Sequence, residues 1–363
     1  MSRFDDHDRA FMSRALELAE RGLYTTTPNP RVGCVLVRDD GIVGEGWHER
    51  AGEAHAEVRA LADARGRGHD PRGATAYVTL EPCNNQGRTG PCTDALLAAG
   101  VARVVASMPD PYPTAAHGAA RLRAAGVGVD IGLLEDQARE LNLGWLMNVE
   151  HGRPWVRVKI AASLDGRTAL ENGSSQWITG EEARADGHRW RARSCAILTG
   201  IGTVRHDNPQ LTVRAIDTPR QPLKVVVDRH GELPPNARLL DEGEVIVVTA
   251  SAPKTPWPAP ARTLILPDPD GRIDLAAMMS ALAQQGVNEL QVEAGARLNG
   301  ALLAAGLVDE LLIYLAPCIL GDGARGMFVL PASIKRLSDR TPLRIVGVDP
   351  VGADWRILAR IER

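Results

Sequence analysis

Short apolar runs alternate with amphipathic helical stretches along this chain, stop at Glu150-His-Gly-Arg-Pro154, and then start again. That rhythm constrains the fold more than any other feature. A strand buried on both faces needs a continuous apolar run, and the helices between such strands must cover the sheet. In the first stretch the pattern predicts a helix from Met1 to Glu20 with Asp5 or Asp6 as its cap. Strands follow at 32–37, 41–46, 76–80, 102–107 and 128–131, and helices at 56–64, 93–99, 119–125 and 135–143. After Pro154 it predicts strands at 155–160, 196–199, 223–227, 245–249 and 290–292, with helices at 181–194, 275–285 and 297–305. A further apolar strand, Glu310 to Leu315, is a candidate for a subunit interface. Gly152 and Pro154 interrupt both periodicities. The expectation is therefore two α/β domains, residues 1–150 and 151–363, which suits 363 residues better than one core does.

Charge narrows the partners. A formal net charge of -3 and a pI near 6.3 argue against a protein that holds nucleic acid on a broad basic surface. The N-terminal stretch is charged throughout and has no apolar h-region, so neither a signal peptide nor a membrane span is expected. Five cysteines are too few and too irregular for a secreted disulfide framework, which points to a reducing cytoplasm.

The sharpest chemical constellation is His55-Ala-Glu57, followed by Pro82-Cys83 and then Cys92. One imidazole and two thiolates give zinc three protein ligands and leave a fourth position for water. Such a metal makes water acidic enough to attack at neutral pH, and a carboxylate must then carry its proton to departing ammonia. Glu57 is placed for that task without binding the metal itself. A histidine, a glutamate two residues on and a later Pro-Cys form the signature of zinc deaminases. A structural zinc would need a fourth protein ligand, and the sequence offers no well-placed one.

Eight residues separate the two cysteines, where nucleic-acid and nucleoside deaminases usually have two. With Thr27-Pro-Asn-Pro-Arg-Val-Gly33, Gly46-Trp-His48, Ala51-Gly52, Leu80-Glu-Pro-Cys83 and Gly87-Arg-Thr89, the N-terminal part resembles the bifunctional riboflavin biosynthesis deaminase/reductase family. The resemblance implies a cytidine-deaminase-like three-layer domain. It implies that Asn29 and His48 touch the pyrimidine and that Arg88 helps bind the substrate phosphate. The family usually has histidine two residues after its first cysteine, where this chain has Asn85. Asparagine can donate a hydrogen bond but cannot shuttle a proton, so affinity or pH dependence is expected to differ.

The second half lacks a Gly-x-Gly-x-x-Gly after its first strand, which leaves a standard Rossmann domain unsupported. Two glycine-marked turns, Gly200-Ile-Gly-Thr203 and Glu293-Ala-Gly-Ala-Arg297, are the places where backbone N–H groups could approach a pyrophosphate. Lys159-Ile-Ala-Ala-Ser-Leu-Asp-Gly166, Ser175-Gln-Trp-Ile-Thr179, Arg191-Ala192, Gly202-Thr-Val204 and Asp207-Asn-Pro209 through Leu211-Thr-Val-Arg214 resemble the reductase half of the same family. That implies a dihydrofolate-reductase-like fold using NADPH. It places Ser175, Arg191, Leu211, Arg214 and Glu293 at the substrate, and Ala161, Trp177, Thr203, Asp207 and Gly295 at the cofactor. Lys159 and Asp207 compete for the proton that accompanies sugar ring opening.

The resemblance thus implies a zinc-dependent deamination of a phosphorylated diaminopyrimidine, followed by NADPH-dependent reduction of its ribosyl group. A small-molecule substrate, no nucleic acid, no membrane and a homo-oligomer through the reductase domain are expected. The alternative is a zinc deaminase acting on nucleic acid or another nucleotide, with a C-terminal domain that binds nucleotide without catalysis.

Overall fold

The computed structural model describes residues 4–85, 90–112, 117–253 and 257–362. The chain divides into two compact units, Met1–His151 and Gly152–Arg363.

In the first unit the elements run α1 (Asp6–Glu20), β1 (Gly33–Arg38), β2 (Gly41–Trp47), α2 (Ala56–Gly66), β3 (Thr75–Val78), α3 (Cys92–Ala98), β4 (Arg103–Ala106), α4 (Gly118–Ala124), β5 (Gly128–Ile131), α5 (Glu135–Leu141) and α6 (Leu143–His151). Asp5 caps α1 reciprocally with Asp8, a capping box that satisfies two otherwise orphaned backbone donors. The strands form one sheet in the order β2-β1-β3-β4-β5. β1 is antiparallel to β2 and β3, and β3, β4 and β5 are parallel. Alternate side chains of β1 enter different cores. Cys34 and Leu36 pack with Ala60 and Leu61 of α2, whereas Val35 and Val37 pack with Met12 and Leu18 of α1. The result is helix, sheet, helix: three layers. α2 lies so close to β2 that a Cβ on Gly46 would stand 2.4 Å from the Ala60 nitrogen. Only glycine allows that approach, and it fixes the first turn of α2, where His55 and Glu57 reside.

The second unit continues with β6 (Trp155–Ser163), β7 (Arg167–Ala169), α7 (Glu181–Arg193), β8 (Ala196–Gly200), α8 (Ile201–Asp207), β9 (Leu223–Val227), β10 (Val245–Thr249), β11 (Arg262–Ile265), α9 (Leu275–Gln284), β12 (Glu289–Val292), α10 (Ala296–Ala304), β13 (Glu310–Ala316), β14 (Arg325–Gly326), β15 (Leu343–Val351) and β16 (Asp354–Ile361). Among the described residues nine strands make one sheet, β11-β10-β9-β8-β12-β6-β13-β16-β15. Its strands are parallel from β11 to β13, and the last two are antiparallel. Val156, Val158 and Ile160 of β6 join Met278 and Leu282 of α9 and Leu302 of α10 in an apolar core.

The alternate side chains of β6 include Arg157 and Lys159, and Arg157 is buried among its partners. It donates to Glu310 Oε1 at 2.5 Å and Glu289 Oε2 at 3.3 Å, while Trp190 of α7 covers its guanidinium at 4.4 Å. Arg193 and Arg360 complete this set by bonding Glu289 and Glu310. Buried charge is tolerated here because each carboxylate is paired.

The structure departs from the sequence pattern in two places. Gly200-Ile-Gly-Thr203 is not a free turn: Gly200 is the N-cap of α8. The strand Glu310–Ala316 lies inside the sheet between β6 and β16, so it offers no free edge. The sheet ends in two edge strands, β11 and β15, and β15 is the more exposed. No helix among the described residues is long and apolar enough to cross a membrane.

Candidate active sites

In the first unit, His55 is the N-cap of α2 and Cys92 opens α3. The loop after β3 carries Cys83 to meet them. His55 Nδ1 lies 3.3 Å from Cys92 Sγ and 3.5 Å from Cys83 Sγ. A tetrahedral ion about 2.1 Å from nitrogen and about 2.3 Å from sulfur spans N···S edges of roughly 3.6 Å, so the donor set fits zinc. The Cys83 thiol is held down, to about 4, first by its hydrogen bond with Cys92 and then, against burial, by His55. That direction suits a metal ligand, which binds as the thiolate.

Glu57, on the first turn of α2, is only 3% exposed. Burial, reinforced by the nearby Cys83 charge, raises its carboxyl above the ordinary value, which suits a group that takes up and releases a proton. Behind it, His48 is buried and held neutral. Its Nδ1 donates to Ala54 O at 3.3 Å, and its Nε2 accepts from Asn29 Nδ2 at 3.0 Å. With its NH₂ turned to His48, Asn29 keeps Oδ1 as an acceptor. The structure thus couples Asn29 and His48 to each other. Asn85 is half-buried, and Arg88 lies outside the described residues.

In the second unit, Lys159, Trp177, Arg191, Arg214 and Glu293 line one cavity of about 300 Å³. Arg184, Gly187 and His188 of α7 complete it. Arg184, His188 and Arg191 recur at i, i+4 and i+7, so one face of α7 looks into the cavity. That spacing is the signal by which Arg184 and His188 were legible, had the buried face of this charge-rich helix been known.

The cavity is cationic but internally ordered. Arg191 grips Glu293 with both prongs, at 2.7 and 2.8 Å, and gives its third nitrogen to Thr212 O. Burial alone would raise the Glu293 carboxyl, but Arg191 and then Lys159 hold it down to about 2. Gln291 steadies it with a 2.8 Å bond. Burial pushes the Lys159 ammonium below its usual range, against the pull of Glu293. Arg214, by contrast, bonds only neutral oxygens of Gln210 and Thr212. No carboxylate among the described residues forms a salt bridge with it. Trp177 is 70% exposed at the rim, with the Arg184 guanidinium 4.7 Å above its ring.

The remaining candidates are not among the residues that line this cavity. Ala161 shares the Lys159 face of β6, Thr203 lies in the first turn of α8, and Asp207 ends that helix. Gly295 caps α10. Because β8 and β12 are parallel neighbours, the starts of α8 and α10 follow adjacent strands. Nothing stands within 4 Å of a Cβ built on Gly202 or Gly295, so the backbone at both is open to approach, as a dinucleotide pyrophosphate requires. Leu211 is buried with a left-handed backbone, φ 55°, and Ser175 is half-buried in the loop before α7.

Comparison with known proteins gives these sites a context. Residues 5–108 match the family described as cytidine and deoxycytidylate deaminase zinc-binding region, and residues 154–357 match the RibD C-terminal domain. The chain is 48% identical to riboflavin biosynthesis protein RibD of Escherichia coli (strain K12), covering 96% of this chain and 97% of that one. It is 43% identical to the Haemophilus influenzae protein of the same name, covering 98% of each. Among solved structures, Acinetobacter baumannii RibD superposes with a TM-score of 0.89 at 42% identity, over 98% of this chain and 99% of that one. A Thermotoga maritima diaminohydroxyphosphoribosylaminopyrimidine deaminase/5-amino-6-(5-phosphoribosylamino)uracil reductase superposes with a TM-score of 0.90 at 34% identity, over 98% and 99%. With likeness running through both units, the chain belongs to the bifunctional riboflavin biosynthesis deaminase/reductase family.

Proposed function

We infer that the chain carries out two successive steps on one phosphorylated pyrimidine. The first is hydrolytic removal of the 2-amino group of 2,5-diamino-6-ribosylamino-4(3H)-pyrimidinone 5′-phosphate. The second is reduction of the ribosyl group of 5-amino-6-(5-phosphoribosylamino)uracil to ribityl, with NADPH as donor. The observation that carries this reading is the presence, on one chain, of a His-Cys-Cys cluster beside a buried glutamate and a cationic cavity beside two open glycine-capped helix starts. We assign the first step to residues 1–150 and the second to residues 151–363.

His55, Cys83 and Cys92 hold zinc, whose contribution is water acidic enough to attack carbon at neutral pH. Glu57 takes the proton from that water at its carboxylate and gives it to the leaving ammonia. Asn29 Oδ1 accepts from an N–H edge of the pyrimidine, and His48 keeps the amide turned that way. Arg88 binds the phosphate.

In the reductase, NADPH supplies the hydride, so the protein supplies position and charge. The backbone at Thr203 and Gly295 would hold the cofactor's pyrophosphate, and Ala161, Trp177 and Asp207 are the other residues that would hold the cofactor. Arg214 takes the substrate phosphate, Glu293 holds sugar hydroxyls, Arg191 fixes Glu293, and Ser175 and Leu211 complete the substrate side. Lys159 would give the ring oxygen its proton as the C1′–O4′ bond opens, and bound NADPH would supply the hydride that C1′ needs. Lys159 is favoured over Asp207 because it lines the cavity beside Glu293, whereas Asp207 sits at the far end of α8.

The compartment we assign is the reducing cytoplasm, in keeping with five cysteines that form no disulfide among the described residues. We also assign a homo-oligomer through the reductase unit. Its support is the edge strand β15, where Ile345 and Val348 are 54% and 50% exposed.

The test is mass spectrometry of products from the diaminopyrimidine nucleotide, with zinc-loaded protein, without and then with NADPH. Deaminated product should come first, and its reduced form only once NADPH is added. Absence of deamination with one zinc bound per chain would sink the first assignment. Failure to reduce supplied aminouracil nucleotide would sink the second.

A further inference from the structure

The segment from Leu211 to Arg214 brings into place a cavity arginine that forms no salt bridge with any carboxylate among the described residues, and its backbone needs holding. Leu211 is in the left-handed region at φ 55°, a conformation that is unfavourable for a non-glycine residue and persists only where the surroundings enforce it. Three side chains do so. Gln221 brackets Val213 from one side, accepting from its N–H at 2.7 Å and donating to its carbonyl at 3.1 Å. Two come from α7: Arg191 Nη1 donates to Thr212 O at 2.9 Å, and His188 Nδ1 accepts from the Arg214 backbone N–H at 3.3 Å.

We propose that His188 is a positioning residue for anion binding in the reductase cavity, fixing the backbone at Arg214 through Nδ1 so that the guanidinium is presented to the substrate phosphate. The bond requires an unprotonated Nδ1, hence a neutral imidazole carrying its proton on Nε2. Its surroundings enforce that state. Lys159 of β6, Arg191 of α7 and Arg214 are positive, and Glu293, in the turn that follows β12, is the opposing charge. Burial first, and then repulsion from Arg191 and Arg214, hold the imidazole down to about 4. The positive charge that makes the cavity attract a phosphate therefore also keeps His188 an acceptor across the neutral range.

This inference rests on the assignment of Arg214 to the phosphate, and the experiment separates the two. Steady-state reduction is measured with the aminouracil nucleotide and with its dephosphorylated form, on the full chain, for Arg214→Gln, His188→Ala and His188→Asn. Deamination rate and KM for NADPH serve as controls for folding. Arg214→Gln should raise KM for the phosphorylated substrate roughly 10- to 100-fold, the effect of losing one charge-assisted hydrogen bond, and leave the dephosphorylated form unaffected. His188→Ala should raise the same KM roughly fivefold to tenfold with little change in kcat. His188→Asn, whose Oδ1 falls near the position of Nδ1, should restore it. If Arg214→Gln raises KM while His188→Ala does not, the proposal fails and the phosphate assignment stands. A His188→Ala defect that Asn does not rescue also overturns it, because the imidazole then acts by some atom other than Nδ1. An unchanged KM in Arg214→Gln removes the phosphate assignment and the proposal with it.

Discussion

Glu57 and Glu293 show how the same carboxylate serves opposite ends. Glu57 is buried beside a thiolate, so its proton is held more tightly than usual. Glu293 is clamped by Arg191 and stays ionised. Replacing Glu57 with Gln removes the proton carrier and keeps the side-chain shape. Deamination should fall by about 10²-fold or more, with zinc content and the reductase rate unchanged. Loss of zinc in that variant would mean that Glu57 serves the metal site instead. For Glu293 the folded value of about 2 lies below the ordinary value of about 4.3, so its stabilising contribution is present above pH 4 and disappears as pH falls through 2. The stability gap between wild type and Glu293→Gln should thus narrow between about pH 4.5 and pH 2, as read by denaturant midpoints at each pH. A gap constant across that range would show that the pair contributes nothing through charge. His55, Glu57, Cys83 and Cys92 were legible in the sequence because the spacing itself encodes the chemistry. Arg184 and His188 were not, because α7 is charged on several sides and only its packing selects the face that meets the cavity.

The element that aims the first site is α2, and it is aimed by glycine. Gly44 and Gly46 let the helix lie against β2, where an added Cβ on Gly46 would stand 2.4 Å from backbone nitrogen and 2.6 Å from the Ala56 carbonyl. Gly46→Ala should push the helix start outward and weaken zinc retention and deamination together. Gly66→Ala, at the other end of α2 with open space around it, should leave both intact. Zinc content by metal analysis and the deamination rate distinguish the outcomes, and a Gly46 variant with full zinc and full rate would refute this account of the helix. Most core strands and helices were legible as periodicity because both of their faces are occupied. β15 and β16 were not. Gly347, Asp349-Pro350 and Gly352 punctuate the sequence there, and the pattern carries too little inward-facing apolar residue to signal a strand. They exist because β13 offers an unsatisfied edge for β16, and β16 in turn for β15.

For the whole molecule, the exposed edge is the feature that a single chain leaves unused. Ile345 and Val348 on β15, with Trp355 on β16, present apolar surface where an edge strand is normally shielded by charge. Ile345→Lys together with Val348→Lys should shift the protein toward monomer in light scattering, with deamination retained. A wild-type chain that is monomeric at micromolar concentration would remove the oligomer assignment. The sequence by itself determined the α/β class, the break near residue 150 and the zinc-deaminase cluster, because periodicity and ligand spacing are local properties carried along the chain. The tertiary structure alone decided which face of α7 enters the reductase cavity, that Arg191 is committed to Glu293 while Arg214 is not, and that Glu310–Ala316 is interior. Each depends on which residues distant in sequence become neighbours, and hydrogen bonding and burial are settled only at that point.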